Sequence, residues 1–280
     1  MIARTTEVIA DGFTFLEAPR WRAGELWMAE VGTDNVVVLS QDGGRRTVSH
    51  VPGMPSGIGF LPDGTPLVVS LRERRIMKIA GDALEVHADL SDISPFLNDM
   101  VVDRRGRAYV GDMGYDVLAS GPQPDKTGNI ILVQPDGAAS FVAGGIRSPN
   151  GCAITSDGQL VMAESLGNRF SLFPIHADGA LGERTESVAL DGIPDGICID
   201  IEDGVWVALY DKDRFVRVLG GKVVETVETP GRRAIACQLG GDDGKTLFCT
   251  TYEGEQSEIG RNIAGRVEVV RVDVAGAGSP

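Results

Sequence analysis

The chain has 280 residues, 42% of them hydrophobic, and carries a formal net charge of −14. The apolar share is enough for a sizeable core, and a charge this negative repels phosphate backbones and anionic lipid, so neither nucleic acid nor a membrane surface is an expected partner. The 37 Gly and 14 Pro follow no period of their own, which argues against collagen-like or low-complexity sequence and fits short strands joined by tight turns.

Residues 1–10 contain a first candidate strand, Arg4 to Ala10. Six similar units then follow. Each has a head residue, polar in all but the last, then a short apolar run, a tight turn, a second apolar run and a polar end, which is the pattern of a β-hairpin. The units are 56–70, 98–112, 150–164 and 195–210, with looser copies at 17–30 and 234–250. Asp-Gly supplies the turn at 63–64, 157–158 and 203–204. Outer strands are predicted between the hairpins, at 35–39 and 46–50, 75–79 and 84–88, 129–133 and 140–143, 169–174 and 186–190, and 214–219 and 222–226. A spacing of about 40–50 residues with four strands per unit is the signature of a propeller. The predicted fold class is therefore all-β, a six-bladed β-propeller with four antiparallel strands per blade, forming one domain over residues 1–274. The alternating stretch 265–273 is a last strand, and one terminal strand should pair into the blade from the other end to close the ring. A closed ring buries its own edges, so a monomer is expected. Residues 275–280 are expected to be a flexible tail.

One connection, 113–128, is longer than its peers, and 252–262 is a second segment of interest. Residues 113–128 start at the end of the third hairpin and 252–262 follow the sixth; both are candidate walls of a site. Tyr115, in the first of them, is a candidate substrate contact. The Cys at 152, 198, 237 and 249 fall in predicted strands without metal spacing and are expected to be buried thiols. No basic stretch leading into an apolar core opens the sequence, and no segment reaches the length of a membrane span. Together with the thiols this predicts a cytoplasmic protein.

If the units are equivalent, their heads stand at equivalent points around a central channel. That ring reads Glu17, Ser56, Asn98, Asn150, Asp195 and Ala234. Carboxylate and carboxamide oxygens are the ligands a hard divalent cation takes. The ends of the second strands return to the same mouth and read Glu30, Ser70, Asp112, Glu164, Tyr210 and Thr250, adding acids that strengthen the case for a cation. Asn and Asp also open strands simply because they suit turns. That explains one such residue better than it explains several in register. The sequence holds no His-Glu-x-x-His, no Gly-x-Ser-x-Gly, no phosphate-cradling loop and no dinucleotide fingerprint. Its three His, at 50, 87 and 176, lie in or beside outer strands. Chemistry would then rest on a metal and a carboxylate base.

The segments Phe15-Leu-Glu-Ala-Pro-Arg-Trp21, Leu97-Asn-Asp-Met-Val-Val-Asp103, Ser148-Pro-Asn-Gly151 and Ile193-Pro-Asp-Gly-Ile-Cys-Ile-Asp200 resemble the SMP-30/gluconolactonase/luciferin-regenerating-enzyme family. The resemblance runs over nearly the whole chain. It implies one divalent cation in the channel, with Glu17, Asn150 and Asp195 as ligands and Asn98 as a fourth ligand or a substrate contact. Asp99 matches a substrate-binding position of the family. The resemblance further implies hydrolysis of a small lactone, with Asp195 as the base and Glu17 balancing charge. Calcium is the first expectation for the metal; zinc, magnesium, manganese and iron(II) stay open. Sugar-lactone members of the family commonly carry an Arg where this chain has Phe96, which predicts a less polar substrate pocket at that point. The alternatives are a metal-dependent hydrolase of another ester or a phosphotriester, and a propeller that binds metal without catalysis.

Overall fold

The computed structural model describes residues 2–40 and 43–278. Six antiparallel sheets surround a channel, as the repeat predicted. Blade 1 runs outward through Leu16–Arg22, Glu25–Glu30, Asn35–Ser40 and Arg45–His50, and blade 2 through Pro55–Phe60, Pro66–Ser70, Arg75–Ala80 and Ala83–Asp89. Blade 3 comprises Leu97–Val102, Ala108–Asp112, Gly128–Val133 and Ala139–Ile146; blade 4 comprises Pro149–Ile154, Gln159–Glu164, Arg169–Pro174 and Glu186–Ala189. Blade 5 has Pro194–Ile199, Val205–Leu209, Arg214–Leu219 and Lys222–Glu228. Blade 6 has Arg233–Gly240, Thr246–Tyr252 and Gly265–Arg271, and its outermost strand is Glu7–Phe13, from the start of the chain.

Closure is thus of the predicted kind, with one refinement. The first ten residues form two strands rather than one, because Ile2–Thr5 leaves blade 6 and lies parallel to Lys222–Glu228 as a fifth strand of blade 5. The start of the chain therefore ties two blades together. At the other end, residues 275–277 are not a free tail. Ala275 accepts from the Ile201 amide, Gly276 donates to Gly244 and Ala277 donates to Ile199. Residues 279 and 280 lie outside the described residues.

Val- and Ile-rich inner strands put one apolar face against each neighbouring blade, so the core is a set of clusters between blades. One gathers Leu67, Val69, Leu97, Met100 and Val110; another gathers Val161, Ile197, Val207 and Val216. Near the axis, the inner strands come close enough that side chains must be small. A Cβ on Gly151 would lie 2.6 Å from the Ile197 nitrogen, and one on Gly196 would lie 2.2 Å from the Ala236 Cβ. The four cysteines are buried and reduced; Cys198 and Cys237, from adjacent blades, stand 3.8 Å apart. Among the described residues, no helix is long and apolar enough to cross a membrane.

Candidate functional site

The pairing of each inner strand breaks at the mouth of the channel. Register shifts separate Pro55 from Ile58, Leu97 from Met100, Pro149 from Cys152, Pro194 from Ile197 and Glu17 from Arg20, each at or just beside a head residue. A β-bulge bends a strand and re-aims its side chains. These bulges let the heads converge on the axis. In blade 6 the shift falls between Ala234 and Ala236. Because Gly196 abuts Ala236 as Gly151 abuts Gly196, the sixth head is Ile235 and not Ala234. Ile235 is fully buried beside Phe15, Val31 and Tyr252, so that side of the ring is apolar.

Glu17, Asn98 and Asn150 are partly accessible and Asp195 is buried, as expected of a ring set just inside an opening. The amides are pinned, one by the next blade directly and one through a serine of its own blade. Asn98 Nδ2 donates to the Pro149 carbonyl at 3.1 Å, and Asn150 Nδ2 donates to Ser165 Oγ at 3.2 Å, which in turn donates to the Pro194 carbonyl at 2.7 Å. Each carboxamide spends its nitrogen on a neighbour, leaving its oxygen as the atom available to a ligand. The carboxylates repel. Burial raises the Asp195 carboxyl to about 7, with Asp99 adding to the rise and the Asn150 carboxamide opposing it. Burial, then Asp195 and Asp99, push Glu17 well above the usual carboxylate range against the pull of the Ala18 amide and Arg20. Asp195 Oδ1 is buried with no hydrogen-bond partner. Two crowded carboxylates, one with an orphaned oxygen, and two oriented carboxamides are a donor set that fits a hard divalent cation. The set needs its amides: among the described residues, no three His, Cys, Asp or Glu side chains gather in a metal-binding cluster.

Asp99 is placed differently from its neighbour Asn98. It is buried one layer deeper, where Arg20 Nη2 reaches both its oxygens at 3.1 and 3.3 Å. Arg20 also donates to the carbonyls of Ile58, Pro19 and Met100. This ion pair links blade 1 to blade 3 past the inner strand of blade 2, so Asp99 is held by protein rather than presented at the mouth. Burial still holds its carboxyl above the ordinary range, with Arg20 pulling the other way. A cavity of about 640 Å³ opens at the opposite end of the channel, among the hairpin turns around Asp103–Arg107 and Thr155–Gly158, and Arg20 forms part of its wall. The cavity is therefore on the far side of the ion pair from the ring.

The second ring does not add ligands. Glu30 accepts from the Thr14 amide, Thr33 and Arg45. Asp112 accepts from Ser94, Asn129 and the Gly114 amide. Glu164 is gripped by Arg169, Ser171 and the Arg147 amide. Burial alone would raise Glu164, but those partners more than offset it and hold it below the usual range. These acids tie strands within their own blades. Phe96 is buried in the cluster between blades 2 and 3, with Met54 and Val117 packed against it, so it backs the wall more than it faces the opening. The Tyr115 hydroxyl accepts from the Gln123 amide and folds the 113–128 connection on itself around a short helix, Val117–Ser120, capped by Asp116. The 252–262 connection leans on the mouth through Ile259, and Tyr252 hydrogen-bonds Asn262.

Sequence reasoning missed Met113, whose sulfur lies 3.9 Å from Asn98 Nδ2, as well as Ser165 and Arg20. Arg20 was within the quoted Glu-Ala-Pro-Arg segment, three residues past the head, but nothing local said that it turns inward. The model of the SMP-30/gluconolactonase/LRE-like region matches residues 15–253. The chain belongs to this family.

Within the SMP-30/gluconolactonase/LRE-like family, the chain is 24% identical to a pentonolactonase from Haloferax volcanii, over 98% of this chain and 96% of that one. It is 25% identical to a 6-deoxy-6-sulfogluconolactonase from Pseudomonas putida, covering 94% and 93%. Regucalcin from Danio rerio is 31% identical, but over 58% of this chain and 56% of its own length. In fold, the chain is similar to a luciferin-regenerating enzyme, with a TM-score of 0.83 at 20% identity over 98% and 97% of the two chains. A calcium-binding regucalcin from Agrobacterium tumefaciens gives 0.81 at 20% identity, over 100% and 98%.

Proposed function

We propose that this protein is a lactonase that opens a small lactone to the hydroxy acid at the ring of Glu17, Asn98, Asn150 and Asp195. The observation that carries the reading is the meeting of two carboxylates at the channel mouth, Glu17 partly accessible and Asp195 buried with an unpartnered oxygen. The two full-length relatives named as lactonases support the reaction class. Glu17, Asn150 and Asp195 would hold a divalent cation, with Asn98 completing the set. Bound there, the cation would supply positive charge to a lactone carbonyl oxygen.

Asp195 is assigned as the base. It takes the proton of the attacking water through the oxygen that no protein group occupies, then returns it to the ring oxygen as the acyl bond breaks. Glu17 balances charge and orients the site. Asn98 holds the substrate or the cation through its oxygen, its nitrogen being fixed on Pro149. Met54, partly exposed and packed against the buried Phe15, Ile235 and Tyr252, gives the mouth one apolar side, which favours a lactone with an apolar face over a fully hydroxylated one. Calcium is the preferred metal on all-oxygen ligation, as in the regucalcin described as calcium-binding.

The test measures metal content and proton release on a panel of aliphatic and sugar lactones, before and after chelation, with Asp195→Ala alongside. Turnover that is lost on chelation, restored by a divalent cation and absent from the variant is the expected result. Turnover indifferent to both would refute the assignment.

A further inference from the structure

Tyr210 belongs to the second ring, yet it behaves unlike the acids there. It follows the strand Val205–Leu209 at the level of Pro194, so it stands at the mouth on the blade that carries Asp195. Its hydroxyl is buried and has no hydrogen-bond partner. An unpartnered buried hydroxyl is costly and is retained where something else completes it. Asp195 Oδ1 is unpartnered in the same way, and Tyr210 lies within electrostatic reach of both Asp195 and Glu17. The ring packs in the apolar group around Ile235 and Tyr252, and the Arg233 guanidinium sits 5.1 Å over its face. Arg233 is itself held by the Gly254 carbonyl.

We infer that Tyr210, backed by Arg233, is a substrate-binding and catalytic residue that donates its hydroxyl to the carbonyl oxygen of the lactone. The inference rests on the lactonase reading above. As water adds to the acyl carbon, that oxygen gains negative charge, and a fixed donor aimed at it stabilises the charge. As the intermediate collapses, the electron pair on that oxygen re-forms the C=O bond and the ring C–O bond breaks, leaving the charge on the ring oxygen. The water's proton passes through Asp195 to the departing alkoxide, so Tyr210 keeps its own proton throughout. The phenol suits this role because burial pushes it up to about 12, with Arg233 opposing, so it remains a donor over the working range. The cation over the ring face draws electron density from the phenol and strengthens the hydroxyl as a donor.

The test is Tyr210→Phe, which keeps the ring and its stacking on Arg233. Its kcat should fall roughly 100- to 1,000-fold, in line with loss of one donor to a developing oxyanion, while cation affinity stays at the wild-type value and Tm holds or rises, since the variant no longer buries an unpartnered hydroxyl. Binding of the matching lactam, followed by calorimetry, should weaken by about tenfold. Arg233→Met should lower kcat by less, and should have no further effect in the Tyr210→Phe background, since it acts through the phenol. A Tyr210→Phe enzyme with wild-type kcat and wild-type lactam affinity overturns the inference and leaves the lactonase reading intact. An Arg233→Met effect that persists in full without the hydroxyl overturns the pairing. A wild type that neither hydrolyses lactones nor binds the lactam removes both readings.

Discussion

Replacing Asp195 by Asn should make the metal-free protein more stable above neutral pH. The carboxyl has a pKa of 3.8 in the unfolded reference and about 7 in the fold, raised first by burial. Between those values the unfolded chain has released the proton and the folded one still holds it. Stability therefore is fully present at low pH and falls as pH rises, levelling off once the folded carboxyl ionises near 7. At about 1.36 kcal/mol per unit, the stretch from pH 5 to pH 7 costs the wild type nearly 3 kcal/mol that Asp195→Asn does not lose. For 280 residues, an unfolding entropy of about 2.1 cal/mol/K per residue converts this to a Tm difference of roughly 5 °C. The assay is urea and thermal unfolding of chelated wild type and variant at pH 5, 6, 7 and 8. Between pH 5 and pH 8 the wild type should fall behind the variant by nearly 3 kcal/mol, and added calcium or magnesium should close the gap by raising the wild type alone. Parallel pH profiles for the two proteins would refute the reasoning, because they would mean that Asp195 ionises without penalty.

Other expectations follow from the same geometry. Arg20→Met should cost about 3–5 kcal/mol by leaving Asp99 buried and unpaired, and adding Asp99→Asn should recover much of it; denaturant melts of the single and double variants check this. Gly196→Val should destabilise by several kcal/mol at least, because even the first carbon of the side chain would meet Ala236 at 2.2 Å, and unfolding midpoints measure it. Asn150→Ala should weaken divalent-cation binding about tenfold or more with little loss of Tm in the chelated protein, read by competition with a metal indicator. Glu164→Gln should lower Tm without changing cation affinity, since Arg169 and Ser171 hold that carboxylate inside its blade.

How much was legible depended on scale. Blade number, the four-strand plan and closure followed from hairpins repeated at near-constant spacing, where hydrophobic alternation and Asp-Gly turns speak plainly. The head residues followed from register alone, so Glu17, Asn98, Asn150 and Asp195 were found together. Register failed where the repeat was loose: in blade 6, the bulge moved the head from Ala234 to Ile235, one residue that local pattern does not resolve. It also overreached at Glu30, Asp112 and Glu164. Position in the unit is visible in sequence, but the direction in which a side chain turns is decided by partners such as Arg45, Asn129 and Arg169 from other strands. Asp99 and Arg20 show the same limit, since their pairing joins residues 79 positions apart.

That buried pair is also a stitch. Arg20 reaches from blade 1 past the inner strand of blade 2, where it takes the Ile58 carbonyl, to Asp99 and the Met100 carbonyl of blade 3. One side chain thereby fastens three successive blades, and blades that otherwise meet through apolar clusters gain a polar clasp that fixes their spacing.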